Sequence, residues 1–277
     1  MINKIDTLIF GCNSLIGSEI SKRINKKKTL LVSRKKPKSL VDFNWIKIDL
    51  NSNKDLEKIP KNVKKIYFLS SPYFILKNFK IHKYELEYKW LKKILKKINF
   101  DSFIYFSSSS VYLKKHPVGI IKRKCEKLLL NKKIKSLQIW RPFNIIGNNE
   151  NILSDHFHNL LIKKFIFEKK KSYCFFGNKN DVRGYSSAKK LSRIVLRKSK
   201  SKSSFILNYG NQNTISILQI VKIFLKIFEK KYKKNIQVSF KSSERNINTI
   251  NSTNNIKTVK SEESSKNLLK NYFLKFD

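Results

Sequence analysis

An α/β fold built on a doubly wound parallel sheet, followed by a smaller C-terminal lobe, is predicted by three observations. Short apolar runs alternate with longer helical patterns over the first half of the chain. These runs are apolar at consecutive rather than alternate positions, the pattern of strands covered on both faces. The first run ends in a glycine-bounded turn that opens a helix. With 277 residues, 40% hydrophobic and 12% aromatic, the chain carries enough apolar material for a packed core and a second lobe.

The elements follow in order. Thr7-Leu8-Ile9-Phe10 is a compact strand ended by Gly11, and residues 18–25 form a helix. TLLVS at 29–33 is the second strand, WIKIDL at 45–50 the third and KIYFLS at 65–70 the fourth. A long helix spans 80–98, with Leu91, Ile94, Leu95 and Ile98 at the spacing of one helical face. SFIYFS at 102–107 is the fifth strand, 119–131 is helical, and SLQIW at 136–140 is the sixth strand. Past Asn148 the pattern loosens, with helices at 155–168 and 187–197. Ser216 then opens a helix through a capping box with Gln219, whose apolar stripe is Ile217, Ile220, Val221, Phe224, Leu225 and Phe228. The polar stretch 245–260 reads as a loop. No repeat or low-complexity linker intervenes. The expected organisation is therefore a dinucleotide-binding domain at 1–150 and a smaller substrate lobe at 151–277, partly interleaved with the first.

A net charge of +42 points by itself to nucleic acid or an anionic surface. The lysines are dispersed, however, and the chain holds a single alanine, Ala188, beside abundant Lys, Asn and Ile. That is the mark of a compositional bias expressed on solvated faces, and no specific nucleic-acid partner is expected. The basic helices at 80–98 and 216–230 are amphipathic, but their apolar faces are needed to cover the sheet. Three cysteines, Cys12, Cys125 and Cys174, have neither disulfide-framework nor metal-ligand spacing. They indicate a reducing compartment, and a cytoplasmic location is expected. No apolar run nears the roughly 18 residues of a membrane span.

The chemistry starts at Gly11-Cys12-Asn13-Ser14-Leu15-Ile16-Gly17. Gly11 allows the tight turn, Gly17 allows close packing of helix on strand, and the helix N-terminus offers free amides to a pyrophosphate. Ser14 stands where a dinucleotide fold usually has glycine. Its Cβ narrows the approach to phosphate, while its hydroxyl can donate to it. Cys12, with no base beside it, reads as a packing residue. This is a Rossmann-type opening.

The chain resembles the extended short-chain dehydrogenase/reductase family, the NAD(P)-dependent epimerases and dehydratases of nucleotide sugars. The likeness rests on an ordered series of motifs. The glycine turn is followed by Asp49-Leu50, similar to the pair that meets the adenine. Phe68-Leu69-Ser70-Ser71-Pro72 stands at the family's His-Leu-Ala-Ala run beside the cofactor. Ser107-Ser108-Ser109-Ser110-Val111-Tyr112 resembles the active-site Ser-Ser-x-x-Val-Tyr strand end. Trp140-Arg141-Pro142-Phe143-Asn144-Ile145-Ile146-Gly147 resembles the Arg-Pro-x-Asn-x-x-Gly segment, and Asp181-Val182-Arg183 the stretch whose arginine meets the nucleotide diphosphate. The resemblance implies that Gly11, Ser14, Leu15, Ile16, Gly17, Arg34, Asp49, Leu50, Leu69, Ser70, Ser71, Lys122 and Pro142 hold the cofactor. It implies catalytic roles for Ser108 and Lys122, and substrate contacts at Ser109, Tyr112, Asn144 and Arg183. It further implies a nucleotide-sugar substrate of a surface-polysaccharide precursor pathway, and a homodimer through helices of the Rossmann domain.

Three departures stand out. The family's Tyr-x-x-x-Lys is Val118-Gly119-Ile120-Ile121-Lys122 here, with Glu126 one turn on. Valine cannot transfer a proton. The loop between Tyr112 and Lys122 is short, and Lys189-Lys190 replace acidic residues. Tyr112 and His116 lie near enough in sequence to be considered as substitute acids, but neither is expected to serve. At the second strand end, Ser33-Arg34-Lys35-Lys36 lacks the acidic residue that binds a ribose 2′-hydroxyl. Its cations suit a 2′-phosphate, so NADP is preferred to NAD. No metal is expected. Asp155, His156 and His158 invite such a reading, but on a helix the two histidines point to different faces. The alternative to an enzyme is an inactive dinucleotide-binding paralogue acting as a binding or sensor module.

Overall fold

The computed structural model describes residues 5–37, 39–40, 42–72, 81–148, 150, 152, 156–241 and 258–276. Along the chain run β1 (Thr7–Phe10), α1 (Leu15–Ser21), β2 (Thr29–Ser33), β3 (Asn44–Lys47), α2 (Asn53–Glu57), β4 (Asn62–Phe68), α3 (Ile81–Lys97) and β5 (Asn99–Phe106). Next come α4 (Pro117–Leu130), β6 (Ser136–Pro142), β7 (Asn144–Ile146), α5 (Phe157–Ile162), β8 (Ser172–Phe176), β9 (Val182–Ser187) and α6 (Ala188–Lys198). The chain continues through β10 (Phe205–Asn211), β11 (Thr214–Ser216), α7 (Ile217–Tyr232), β12 (Gln237–Lys241), β13 (Thr258–Ser261) and α8 (Ser265–Phe273). Among the described residues no helix is long and apolar enough to cross a membrane.

Two compact units emerge. The first is Met1–Pro142 with Ala188–Asn208, and the second is Phe143–Ser187 with Tyr209–Asp277. The sequence suggests a boundary near residue 150 with the second lobe partly interleaved with the first; each unit is made of two chain segments. The reason lies in pairing: α6 packs on α1, and β10 lies beside β6, so the segment after β9 returns to the first unit.

The first unit is a Rossmann-type doubly wound sheet, ordered β10-β6-β5-β4-β1-β2-β3. β1 pairs in parallel with β2 and β4, β2 with β3, β4 with β5, and β5 with β6. Alternation of side chains along each strand explains both covered faces. Leu8, Phe10, Ile66, Phe68, Phe103 and Tyr105 join one core with Leu91 and Ile94 of α3 and Ile121, Cys125 and Leu129 of α4. The neighbouring strand residues turn the other way: Lys65 Nζ donates to the Ser199 carbonyl at the end of α6, and the Tyr67 hydroxyl bonds Ser199 Oγ at 2.7 Å. β4, β5 and β6 each run longer than their apolar centres indicate.

In the second unit β9 pairs in parallel with β7 and antiparallel with β11, while β8 and β12 form a separate parallel pair. Phe165, Phe175, Ile220, Phe224, Phe228, Leu269 and Phe273 share its core. The capping box is present, with Gln219 N donating to Ser216 Oγ and Ser216 N to Gln219 Oε1. Three differences from the sequence expectation follow from local geometry. α1 begins at Leu15, because Ser14 is its cap. The helix expected at 155–168 is α5 continued by a π-helical turn at Lys163–Phe167, and Asp155 lies outside the described residues. Residues 258–261, expected in a loop, form β13, while 245–257 lie outside the described residues.

Candidate active site

The glycine turn is built by the ladder of β1 on β4, in which Leu69 N donates to the Phe10 carbonyl at 2.9 Å. Gly11 sits at φ +80°, a region that disfavours any Cβ. A Cβ there would come within 2.7 Å of the Leu69 carbonyl carbon and 2.8 Å of Ser70 N. Ser14 caps α1, accepting the Gly17 amide on its hydroxyl at 3.1 Å. One amide of the helix start is thus taken by the serine, whose O–H remains a donor. The amides of Leu15 and Ile16, among the groups a helix start leaves without intrahelical partners, meet no acceptor among the described residues. Beside this turn Leu69 is buried, and Ser71 Oγ is buried with no hydrogen-bond partner.

The flanking strand ends are organised by residues that the sequence motifs leave out. Ser33 Oγ accepts from Trp45 Nε1 at 2.9 Å and donates to the Lys35 carbonyl, which also receives Asn13 Nδ2 at 2.7 Å. This pins the turn that exposes Arg34, Lys35 and Lys36. Asp49 accepts the Asn51 backbone amide at 3.0 Å, and Asn51 Oδ1 accepts Trp90 Nε1 of α3 at 2.8 Å. Leu50 is buried beside them. Cys12 is buried, and burial raises its thiol pKa, as a packing residue requires. Amides at a helix start and a glycine passage beside an exposed cationic turn are groups that can hold a dinucleotide phosphate chain.

After β5 the polar groups form a chain of contacts. Ser107 Oγ donates to Glu126 Oε1, and Arg141 grips the same carboxylate through Nε at 2.9 Å and a terminal nitrogen at 2.6 Å. This bidentate pairing raises the Arg141 pKa against the opposing effect of burial. Arg141 also donates to the Tyr112 hydroxyl at 2.9 Å, which donates to Asn208 Oδ1 at 2.7 Å. The Tyr112 hydroxyl thus both accepts and donates in this chain of contacts. Ser108 caps the turn Ser109–Tyr112, accepting from Ser110 N at 3.1 Å and Ser110 Oγ at 3.0 Å, with its own O–H left to donate. Pro142 closes β6, half-buried.

Lys122 lies in α4, buried. Its ammonium donates to Glu87 Oε1 of α3 at 2.7 Å and to the Phe106 carbonyl at 2.7 Å, and sits 4.9 Å from the Tyr105 ring centre. Tyr105 donates its hydroxyl to the same Glu87 oxygen at 2.7 Å. Glu87, which no motif marks, is fully buried, and its Oε2 has no partner. Val118, in the first turn of α4, is half-buried and apolar. His116 caps that helix, its Nδ1 buried without a partner, and burial lowers its pKa.

In the second unit Asn144 of β7 donates to the Gly184 carbonyl at 3.3 Å, and β7 sets Asn144 opposite Tyr185 of β9. Arg183 of β9 donates to the Val182 carbonyl at 3.0 Å and lies 3.8 Å from the Asp181 carboxylate. The argument that His156 and His158 diverge is corrected by the structure. His156 precedes α5 as its cap rather than lying within it, and both rings reach Glu150 Oε1, at 2.7 and 2.9 Å.

Neither a protein-family model nor a curated protein sequence matches the chain. Solved structures do. A UDP-glucose 4-epimerase from Thermotoga maritima, with UDP-glucose, is 14% identical over 98% of each chain, with a TM-score of 0.76. A UDP-glucuronic acid 4-epimerase from Bacillus cereus, in complex with NAD, is 22% identical over 86% of this chain and 87% of its own, with a TM-score of 0.66. An NAD-dependent NDP-hexosamine 5,6-dehydratase of tunicamycin biosynthesis is 14% identical over 86% and 84%, with a TM-score of 0.67. These likenesses establish the fold.

Proposed function

We propose that this chain binds NADP or NAD together with a nucleotide-activated sugar, in the manner of the epimerases, dehydratases and reductases of surface-polysaccharide precursors. The observation that carries this reading is the Gly11 turn, where only a glycine fits against Leu69 and Ser70 and two helix-start amides meet no acceptor among the described residues. Gly11, Ser14, Leu15, Ile16 and Gly17 take the pyrophosphate in this reading. Asp49, Leu50, Leu69, Ser70, Ser71 and Pro142 line the remainder, and Arg34 meets a 2′-phosphate. A bound nicotinamide supplies hydride transfer. Ser108 polarises the sugar oxygen through its remaining O–H, and Lys122 places the nicotinamide ribose. Ser109 and Tyr112 are the candidate substrate contacts of the first unit; Asn144 and Arg183 are those of the second, taken by itself.

A second reading, binding without turnover, is favoured by two observations. Val118 holds no proton to transfer, and Lys122 is committed to a buried ion pair with Glu87. Titration of NADPH and NADH, followed by fluorescence and melting temperature, tests both readings, because a ligand of the native state must raise its stability. A response to NADPH exceeding that to NADH is expected. No response to either sinks both readings. Turnover of UDP-sugars by the natural chain selects the first reading, and binding without turnover the second.

A further inference from the structure

We propose that Glu150, His156 and His158 form a binding site for a divalent transition metal of the zinc class, a site independent of the dinucleotide reading. One oxygen from Glu150 and one ring nitrogen from each histidine lie within 4.8 Å of one another. The Glu150 and His158 side chains are 3% and 2% exposed, and His156 is 42% exposed, which opens one side of the cluster to solvent. Two nitrogens and a carboxylate oxygen are the borderline donor set that zinc, cobalt and nickel select, and three protein ligands with one open position are a common zinc arrangement.

Hydrogen bonding alone leaves the cluster incomplete. Glu150 Oε1 collects His156 Nδ1, His158 Nε2 and Asn159 Nδ2, while Glu150 Oε2 and His158 Nδ1 are buried with no partner among the described residues. A cation shared by the carboxylate and both rings removes the crowding on one oxygen and neutralises the other. Metal–ligand bonds of about 2.0–2.2 Å in a tetrahedral site separate the ligand atoms by roughly 3.3 Å. The 2.7 and 2.9 Å contacts to Glu150 open by about half an ångström in such a site, and the ring nitrogens, which with the Glu150 oxygen lie within 4.8 Å of one another, settle to the same spacing. The surrounding contacts hold the ligands in place. Asn159 steadies Glu150 and accepts the Tyr272 hydroxyl at 2.7 Å, and the Tyr185 and Tyr272 rings meet the His158 ring edge-on at 5.3 and 5.2 Å.

The test uses the full, tag-free chain, freed of metal by a chelator and titrated with Co2+ at about 0.15 M salt, where surface charge is screened beyond about 8 Å. Saturation at one Co2+ per chain is expected, with the intense visible absorption of low-coordinate cobalt, reversed by added Zn2+. His156→Ala, at the half-exposed position, is expected to fold normally and weaken binding at least about 100-fold, above the 10–100-fold that loss of an outer-shell partner costs. Glu150→Gln tests the charge, and His116→Ala is the control that keeps wild-type affinity. Absence of cobalt absorption at millimolar Co2+ overturns the proposal. So does binding that persists in His156→Ala or falls equally in His116→Ala.

Discussion

The glycine turn and the start of α4 both belong to the first unit, yet one is built from main-chain groups and the other from side chains. At the turn, Gly11 keeps its positive φ and its contact with the Leu69–Ser70 backbone, and the one replacement, Ser14, is absorbed as a helix cap. At α4, Val118 offers no titratable group and Lys122 is paired with Glu87. Holding a phosphate depends on main-chain amides, which tolerate side-chain change. Moving a proton depends on one side chain, and a single substitution removes it.

That contrast can be broken most forcefully at Glu87. Glu87→Leu strands the Lys122 ammonium in the core, and breaking a buried pair costs about 3–5 kcal/mol. Denaturant unfolding of this variant should show that loss, and adding Lys122→Met should recover most of it. If the double variant recovers nothing, the pair is not the structural element described here. Val118→Tyr sharpens the comparison from the chemical side. A restored proton donor is expected to raise nucleotide-sugar turnover by about 10²-fold or more, measured by product analysis under saturating NAD(P). No gain would place the defect in the Lys122–Glu87 pair instead of the valine.

At the turn, Gly11→Ala is expected to cost about 1–3 kcal/mol, because a Cβ at positive φ meets fixed backbone. It should also abolish the expected rise in melting temperature with NADPH or NADH. A variant that still binds would show that the passage past Leu69 is wider than described. The smallest effect concerns pH. Burial keeps His116 neutral to lower pH than the 6.5 of a free imidazole. The unfolded chain therefore takes up this proton first, and stability is full above about pH 6.5 and falls as pH drops below it. His116→Gln should flatten that acid limb in melting curves recorded between pH 7 and 5; an unchanged slope would assign it to other groups.

Much of this architecture is legible in the chain because its signals are local. Thr7–Phe10, the helical face of Leu91 and Ile94, and the Ser216–Gln219 box each follow from spacing within a few residues. The sequence reading goes astray where a residue's role depends on distant partners. His156 and His158 look divergent on an ideal helix, but converge because the helix starts after the first of them. Glu87 carries no motif, and only the packing of α3 against α4 brings it to Lys122. Asn13, Trp45 and Asn51, which pin the strand ends, are equally silent in sequence.

The order of apolar runs and glycines by itself determined a parallel sheet with a phosphate-sized turn at its first strand, since strand periodicity and the conformational freedom of glycine are properties of neighbouring residues. Only the tertiary structure decided that Lys122 pairs with Glu87 and that a carboxylate and two imidazoles meet in the second unit. Each of those depends on which buried charge or donor finds which partner across 6 to 35 positions of sequence, and that pairing is fixed by the cost of leaving a polar group alone in a packed interior.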